Sequence, residues 1–141
     1  MSDNHDFLPI QGFDHVEFYV GNAKQSSMYY RQGFGYSHTG YRGLETGSRD
    51  LASYVLEQGN IRLILTTPLD AEHPVNDHVA RHGDGVGVIA LAVPDAEASY
   101  KEATARGAEG AIEPTEEDDE NGVLRYSALK AYGDTPVSYT H

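Results

Sequence analysis

Hydrophobic and polar residues alternate along the first patterned segment of the chain, residues 13–20. Val16, Phe18 and Val20 fall on one side of this alternation, whereas His15 falls on the other. A period of two residues is typical of a β-strand with at least one buried face. The sequence therefore predicts that the patterned part of the chain begins with a strand.

The next segments predict helices and further strands. Asn22, with Gln25 three residues later, is a capping-box signature, so a helix is expected from there to about residue 32. Three shorter alternating stretches predict strands, near residues 36–42, 50–58 and 61–67. Residues 72–82 hold a proline in the first turn and end at Gly83, which predicts a connecting helix.

The second half of the chain repeats this pattern 73 residues later. The matched pairs include Phe13 with Val86, Val16 with Ile89, Phe18 with Leu91, Asn22 with Asp95 and Ala23 with Ala96. The expected elements of this half lie near 86–93, 96–106, 109–113, 123–132 and 135–141. An internal repeat of half the chain is an architectural signal. It predicts an α+β fold of two βαβββ modules, about 13–70 and 85–141, that form a curved, half-barrel mixed sheet.

Length and composition narrow the class of protein. The 141 residues correspond to a single domain, expected over 13–141 after a flexible lead-in at 1–12. The chain has no cysteine, which excludes disulfides and thiolate chemistry, and its net charge of −12 disfavours nucleic acid. No apolar run is long enough for a membrane span, and the start MSDNHDF lacks signal-peptide features. We therefore expect a cytoplasmic protein that binds neither nucleic acid nor membrane.

His15 is the one candidate metal ligand that the pattern singles out. An imidazole on a strand face beside Glu17 can bind a divalent metal, although a histidine hydrogen-bonded within the sheet is the more common case. The repeat places Val88 at the equivalent position, so a symmetric second ligand is absent. The strand at 61–67 has no carboxylate, and His141 is only a loose possibility as a third ligand. The residues predict no catalytic group and only a weak metal site.

Other polar groups have simpler interpretations. His78 and His82 lie four residues apart, but Val79 stands where a zinc protease helix has its glutamate, so we expect a solvated helix end. The acidic run at 116–120 is expected to form a solvated, mobile loop before an Asn-Gly turn. Ten tyrosines could line an aromatic pocket, or simply pack on the sheets; the first to consider are Tyr19, Tyr29 and Tyr30.

Several stretches, taken in order along the chain, resemble the amino-terminal region of 4-hydroxyphenylpyruvate dioxygenases. They are residues 7–25, Tyr29-Tyr-Arg-Gln-Gly-Phe-Gly35, Ser53-Tyr-Val-Leu-Glu-Gln-Gly59 with Ile61-Arg62, His78-Val-Ala-Arg-His-Gly-Asp-Gly-Val86 and Tyr132-Gly-Asp-Thr135. These enzymes are members of the vicinal oxygen chelate superfamily, which is built from βαβββ modules. The resemblance therefore implies the same fold that the repeat predicts from the residues alone.

The resemblance also implies where the chemistry of such an enzyme lies. The family converts 4-hydroxyphenylpyruvate to homogentisate with Fe(II) and O₂ in tyrosine catabolism, and its iron ligands lie in a carboxy-terminal domain. None of those ligands maps onto this sequence, so Fe(II) is expected outside the chain. The chain then resembles a non-catalytic amino-terminal domain, whose partner is the catalytic domain or a second copy in a homo-oligomer such as a dimer.

Two alternatives remain open from the sequence. The chain could be a stand-alone metalloenzyme of the same superfamily, in which a homodimer completes a site around His15. It could also be a metal-free protein that binds a small molecule, and the charge of −12 would suit a cationic ligand.

Overall fold

The structure, a computed structural model, describes residues 5–141. Its strands are β1 (Gly12–Tyr19), β2 (Ser37–Arg42), β3 (Leu51–Gln58), β4 (Ile61–Pro68), β5 (Gly85–Ala92), β6 (Gly110–Asp119), β7 (Gly122–Tyr132) and β8 (Thr135–Thr140). Its helices are α1 (Ala23–Phe34), α2 (Pro74–His82) and α3 (Ala96–Ala105), with a 3₁₀ turn at Leu44–Thr46. This order confirms the α+β class and the two βαβββ modules predicted from the sequence.

The 73-residue repeat is visible in the element boundaries. Gly12 and Gly85 begin β1 and β5, and Ala23 and Ala96 begin α1 and α3, so both pairs differ by 73. By contacts the described chain divides into a first unit, residues 15–88, and a second unit, made of 5–14 and 89–141. The first unit contains α1 and the second contains α3, so each module helix has a core of its own.

The first unit orders its strands β2-β3-β4-β1. β1 runs parallel to β4, with Val16 opposite Leu63, and β3 and β4 form an antiparallel hairpin. The core beneath α1 consists of Val20, Ala23, Leu56, Leu63 and Leu65. The helix begins where the Asn22 side chain accepts a hydrogen bond from the Gln25 amide. It ends at Phe34, two residues beyond the expected end, because the glycine that adopts the left-handed conformation and terminates the helix is Gly35.

The second unit repeats this arrangement with the order β5-β8-β7-β6. β5 runs parallel to β8, and β7 pairs antiparallel with both β6 and β8. Its core beneath α3 consists of Val93, Ala96, Ala103, Leu129 and Tyr139. The helix begins where the Asp95 carboxylate accepts hydrogen bonds from the amides of Glu97 and Ala98.

The part of the lead-in that the structure describes contacts the second unit. Leu8 packs on its core, the Gln11 amide donates to the Ala92 carbonyl over 2.8 Å, and the Arg106 guanidinium lies 3.4 Å above the centre of the Phe7 ring. Residues 1–4 of the expected lead-in lie outside the described residues. Flexibility of residues 1–12 stays a prediction.

The acidic run is one place where the sequence expectation of a loop is wrong. Residues 116–119 belong to strand β6 and not to a loop, and only the turn at residues 120–121 follows them. The run has cross-strand partners, because Glu116 forms an ion pair with Arg125 at 2.6 Å and Glu117 accepts a hydrogen bond from the Tyr126 hydroxyl at 2.9 Å. Both partners lie on β7, about nine residues further along the chain, so local composition did not reveal them.

Within residues 5–141, none of the helices combines the length and the apolar character that a bilayer crossing requires.

Candidate functional site

The polar side of β1 carries the chain's first candidate residues. His15, Glu17 and Tyr19 alternate with Val16 and Phe18, and the latter two pack against the core beneath α1. This confirms the two faces that the hydrophobic pattern predicts. The first unit therefore places a histidine, a carboxylate and a phenol on the sheet face that lies away from α1.

Glu17 takes part in a hydrogen-bonded series that crosses three strands. The Thr66 hydroxyl donates to Glu17 Oε2 over 2.6 Å, and the Ser53 hydroxyl oxygen lies 2.7 Å from Thr66 Oγ1. A hydroxyl can donate only one hydrogen bond, and Thr66 donates its own to Glu17, so Ser53 is the donor to Thr66. We call Ser53, Thr66 and Glu17 the hydroxyl relay. Because Thr66 is only 1% exposed, the carboxylate is tied to the interior of the sheet.

The surroundings of Tyr19 keep its phenol neutral. Burial, and then the nearby carboxylate of Glu17, raise the pKa of Tyr19 to about 12, so the hydroxyl is not a base at neutral pH. The ring meets the His78 ring edge-on at 5.0 Å between centroids. It also lies so close to Gly87 that a Cβ there would come within 2.4 Å of a ring carbon. Gly87 is therefore the residue that leaves room for the Tyr19 ring.

His78 and His82 do not form the solvated pair that the sequence predicts. Their ring centroids lie 4.8 Å apart, but both ring nitrogens of His78 are buried, whereas His82 is exposed. The expectation is thus wrong for His78 and confirmed for His82. The reason lies in the helix periodicity, because His78 shares the inward face of α2 with Val75 and Val79. A buried imidazole in this position is a packing residue and not an accessible metal ligand.

The residues present do not fit the iron that the dioxygenase resemblance implies. A mononuclear non-haem iron needs two histidines and one carboxylate around open positions. Across residues 5–141, the structure brings together no group of three or more His, Cys, Asp or Glu side chains that could hold a metal ion. His15 is half-buried on its strand, and its neighbour along the face, Glu17, accepts a hydrogen bond from the Thr66 hydroxyl. His15 remains a weak metal candidate and a prediction.

His141 has a structural role within the second unit. Its Nδ1 accepts a hydrogen bond from the Ala96 amide over 2.8 Å, at the start of α3. The imidazole thereby satisfies one of the amides that a helix leaves unpaired at its first turn. Because its lone pair accepts this hydrogen bond, Nδ1 of His141 is not available to a metal.

The tyrosines divide between the two faces of the first unit. Tyr29 and Tyr30 line an open cleft of about 490 Å³ beside α1, whose floor is formed by Phe18 and Leu65. Tyr19 does not take part, because it lies on the opposite face of the sheet. The tyrosine content allowed for an aromatic pocket, and this cleft is lined by Tyr29 and Tyr30 but not by Tyr19.

Solved structures with this fold include both large and small proteins. A variant of 4-hydroxymandelate synthase from Streptomyces coelicolor superposes with a TM-score of 0.86 at 26% identity, over 93% of this chain and 38% of that chain. Methylmalonyl-CoA epimerase from Mycobacterium tuberculosis gives 0.78 at 16% identity, over 98% of this chain and 92% of that one. The second likeness shows the fold alone.

Curated relatives point to one kind of enzyme. Proteins named 4-hydroxyphenylpyruvate dioxygenase are 43% identical in Dictyostelium discoideum and 40% identical in Xenopus tropicalis, over 92% and 87% of this chain. The chain spans only about a third of the length of these relatives, 36% and 32%. The family model described as Glyoxalase/Bleomycin resistance protein/Dioxygenase superfamily matches residues 12–128. With its two βαβββ modules, the chain belongs to this superfamily.

Proposed function

We propose that the chain is the amino-terminal, non-catalytic domain of a 4-hydroxyphenylpyruvate dioxygenase, with a structural role in the enzyme. The relatives of that name are 38–43% identical to it, and the chain spans about a third of their length. In this proposal the whole enzyme converts 4-hydroxyphenylpyruvate to homogentisate with Fe(II) and O₂, and the iron is bound outside this chain. The cytoplasmic location expected from the sequence stays a prediction.

The hydroxyl relay is the observation that supports a non-catalytic role. Glu17 is the carboxylate nearest to His15 along the polar face of β1, and its Oε2 accepts a hydrogen bond from the buried hydroxyl of Thr66. A metal that bound through Oε2 would displace this hydrogen bond and leave the Thr66 hydroxyl without its acceptor in the sheet interior, which is costly, so only Oε1 is open to a ligand. The relay therefore favours a stabilising use of the carboxylate over a ligating one.

The partner in this proposal is the catalytic domain of the same enzyme or a second copy of the chain. The role of the domain would then be to pack against the catalytic domain or to supply contacts between subunits. A net charge of −12 supports protein partners over nucleic acid, since a phosphate backbone would be repelled.

The test is a comparison of the purified chain with the complete Dictyostelium discoideum relative. Both are loaded anaerobically with Fe(II), freed of excess metal, and assayed for bound iron and for O₂ consumption with 4-hydroxyphenylpyruvate. We expect the relative to retain iron and consume O₂, and the chain to do neither.

Stoichiometric iron or turnover by the chain alone would overturn the proposal. His15→Ala then identifies the site, because loss of metal in that variant supports the stand-alone metalloenzyme completed by a homodimer. A matched control is His38→Ala, since His38 lies on β2 and its ring nitrogen contacts the carbonyl oxygen of Gly40 within the same strand.

A further inference from the structure

One side of helix α1, starting at its cap, lines the open cleft of about 490 Å³ described above. We call this cleft the α1 cleft. The side chains that α1 and its cap contribute to it at intervals of three and four residues are Asn22, Gln25, Ser26 and Tyr29. Residues with this spacing share one face of a helix. That face is distinct from the one on which Ala23 is buried, so α1 uses one face for the core and another for the cleft.

The floor of the α1 cleft is apolar and its wall is aromatic. Phe18 of β1 and Leu65 of β4 form the floor, and Leu65 is fully buried. The Tyr29 and Tyr30 rings meet nearly edge to face, with 5.4 Å between their centroids and 78° between their planes. Pockets for small molecules have volumes of about 300–1,000 Å³ and apolar linings with a few polar groups. The α1 cleft therefore has the size and lining to take one aromatic ring with a short substituent.

Asp84 supplies the charge of the α1 cleft, and within residues 5–141 it is the one charged side chain in the lining. Its Oδ1 accepts a hydrogen bond from the Gly21 amide over 2.9 Å, which orients the carboxylate and leaves Oδ2 for a ligand. The cations of α1 lie on another side of the helix. Arg31 follows Tyr29 by two residues and so lies about 160° around the helix, and Lys24 shares the side of Arg31 because it precedes it by seven residues. The cleft is consequently anionic although α1 carries two cations.

The second module lacks the aromatic wall and part of the apolar floor. The residue 73 positions after Tyr29 is Glu102, which forms an ion pair with Arg106. The residue 73 positions after Leu65 is Ser138. The same backbone plan thus folds with a carboxylate and a hydroxyl at these positions. The fold alone therefore does not account for the lining of the α1 cleft.

The chemistry of the lining selects one class of ligand. An ammonium group is attracted by a carboxylate and by the faces of tyrosine rings. An aromatic ring gains free energy when it leaves water for an apolar floor. An anion of similar size, such as 4-hydroxyphenylpyruvate, would instead be repelled by Asp84. A ligand that joins an aromatic ring to an ammonium group through a short chain satisfies both parts of the cleft.

We propose that the α1 cleft binds a small aromatic ammonium compound. The ammonium group lies at Oδ2 of Asp84, and the aromatic ring lies on Phe18 and Leu65 against the Tyr29 ring. Gln25 and Ser26 on the same helix face are placed to hydrogen-bond with polar substituents of the ligand. This site goes beyond the proposed function and does not rest on it, because binding requires neither iron nor a catalytic domain.

The first arm of the test titrates the isotopically labelled chain with phenethylammonium at constant ionic strength and follows the backbone amides by NMR. We expect a saturable shift of the Gly21 amide, which is bonded to Asp84, with a dissociation constant on the order of 1 mM. Hydrocinnamate carries the same phenethyl group on a carboxylate, and ethylammonium carries the same charge without a ring. Each should bind at least about tenfold more weakly than phenethylammonium.

The second arm removes the charge of the cleft. Asp84→Asn keeps an oxygen for the Gly21 amide but loses the negative charge, so it should weaken phenethylammonium binding at least about threefold, as expected for a partly exposed ion pair. Asp118→Asn, at an exposed position of β6, removes the same charge outside the cleft and should leave the dissociation constant unchanged.

The third arm removes the aromatic wall. Tyr29→Leu keeps an apolar side chain but no ring face and should also weaken binding at least about threefold, whereas Tyr132→Leu, at a position that is 82% exposed outside the cleft, should not. Circular dichroism confirms that each variant is folded. The absence of a saturable Gly21 shift, equal binding of hydrocinnamate, or a dissociation constant that Asp84→Asn or Tyr29→Leu leaves unchanged would each overturn the proposal. None of these results bears on iron or O₂ consumption, so the proposed function is tested separately.

Discussion

The two modules share a backbone plan but carry different side chains on their equivalent strands. His15 and Glu17 of β1 correspond, 73 residues later, to Val88 and Ala90 of β5. Ala90 has no exposed surface, whereas Glu17 accepts a hydrogen bond from Thr66 in the hydroxyl relay. The first module thus keeps polar groups where the second has only apolar ones.

The difference shows which features the repeat requires. Both helices begin at a polar cap, Asn22 or Asp95, and both bury an alanine at the following position. Their outer surfaces differ, since α1 exposes Met28, Tyr29 and Phe34, whereas α3 carries the ion pairs Lys101–Glu97 and Arg106–Glu102. Cap and core residues determine whether the module folds, so they recur, whereas polar strand faces and helix surfaces are free to diverge.

The largest expected effect tests whether the cores are equivalent. Leu56 and Leu129 are 73 residues apart, and they are 0% and 6% exposed. Leu56→Ala and Leu129→Ala should each lower the free energy of unfolding by about 2–5 kcal/mol, because each leaves a cavity in its core. Urea denaturation measures both. Leu44→Ala, at an exposed leucine, is the control and should change stability by less than about 0.5 kcal/mol.

A loss at Leu129 well below that at Leu56 would contradict the equivalence of the two cores. It would mean that the second module tolerates a cavity at this position that the first does not, despite the shared spacing.

A smaller effect tests the feature that only the first module has. Thr66→Val removes the hydroxyl at the centre of the relay and leaves Glu17 and Ser53 without their shared partner. We expect a loss of about 1–3 kcal/mol in the free energy of unfolding, the usual cost of unpaired groups in a protein interior. Thr66→Ser keeps the hydroxyl and is the matched control in the same urea experiment. Equal stability of the Val and Ser variants would show that the relay contributes nothing.

Much of the fold follows from short-range signals in the sequence. Alternation predicts β1, the Asn22 and Asp95 caps locate the helix starts, and the 73-residue spacing predicts the second module. The extent of β6 could not be obtained in this way. Its Glu116 and Glu117 pair with Arg125 and Tyr126 of β7, and the composition of one strand does not reveal which residues will lie opposite it.

The candidate site is less accessible to sequence reasoning. The polar face of β1 is predictable, but the hydroxyl relay depends on the parallel register of β1 with β4, which are joined through a helix and two strands. Gly87 is informative only once the Tyr19 ring is seen against it. The burial of His78 did leave a signal, because Val75 and Val79 flank it at helical spacing and mark the inward face of α2.

The smallest expected effect separates the two helix caps by their response to acid. Hydrogen bonds from the amides of Ala98 and Glu97 lower the pKa of Asp95, with Ala98 the larger cause. Since the pKa is lower in the folded state, this stabilisation is complete above the unfolded value, about 3.9, and is lost as the pH falls through the folded value. The cap of α1 is an asparagine, which does not ionise, so only α3 should weaken in acid.

Asp95→Asn gives α3 the same kind of cap as α1 and provides the test. An asparagine oxygen caps a helix about as well as an aspartate at neutral pH, so the variant should be close to wild type there. As the pH falls below about 4, wild type should lose the cap contribution to its free energy of unfolding and the variant should not. Urea denaturation across this range measures the difference between the two proteins, and Asn22→Asp should introduce the same acid sensitivity into α1. Parallel pH curves for wild type and Asp95→Asn would mean that the charge at this cap contributes no stability, and that the two helix starts are equivalent in chemistry as well as in position.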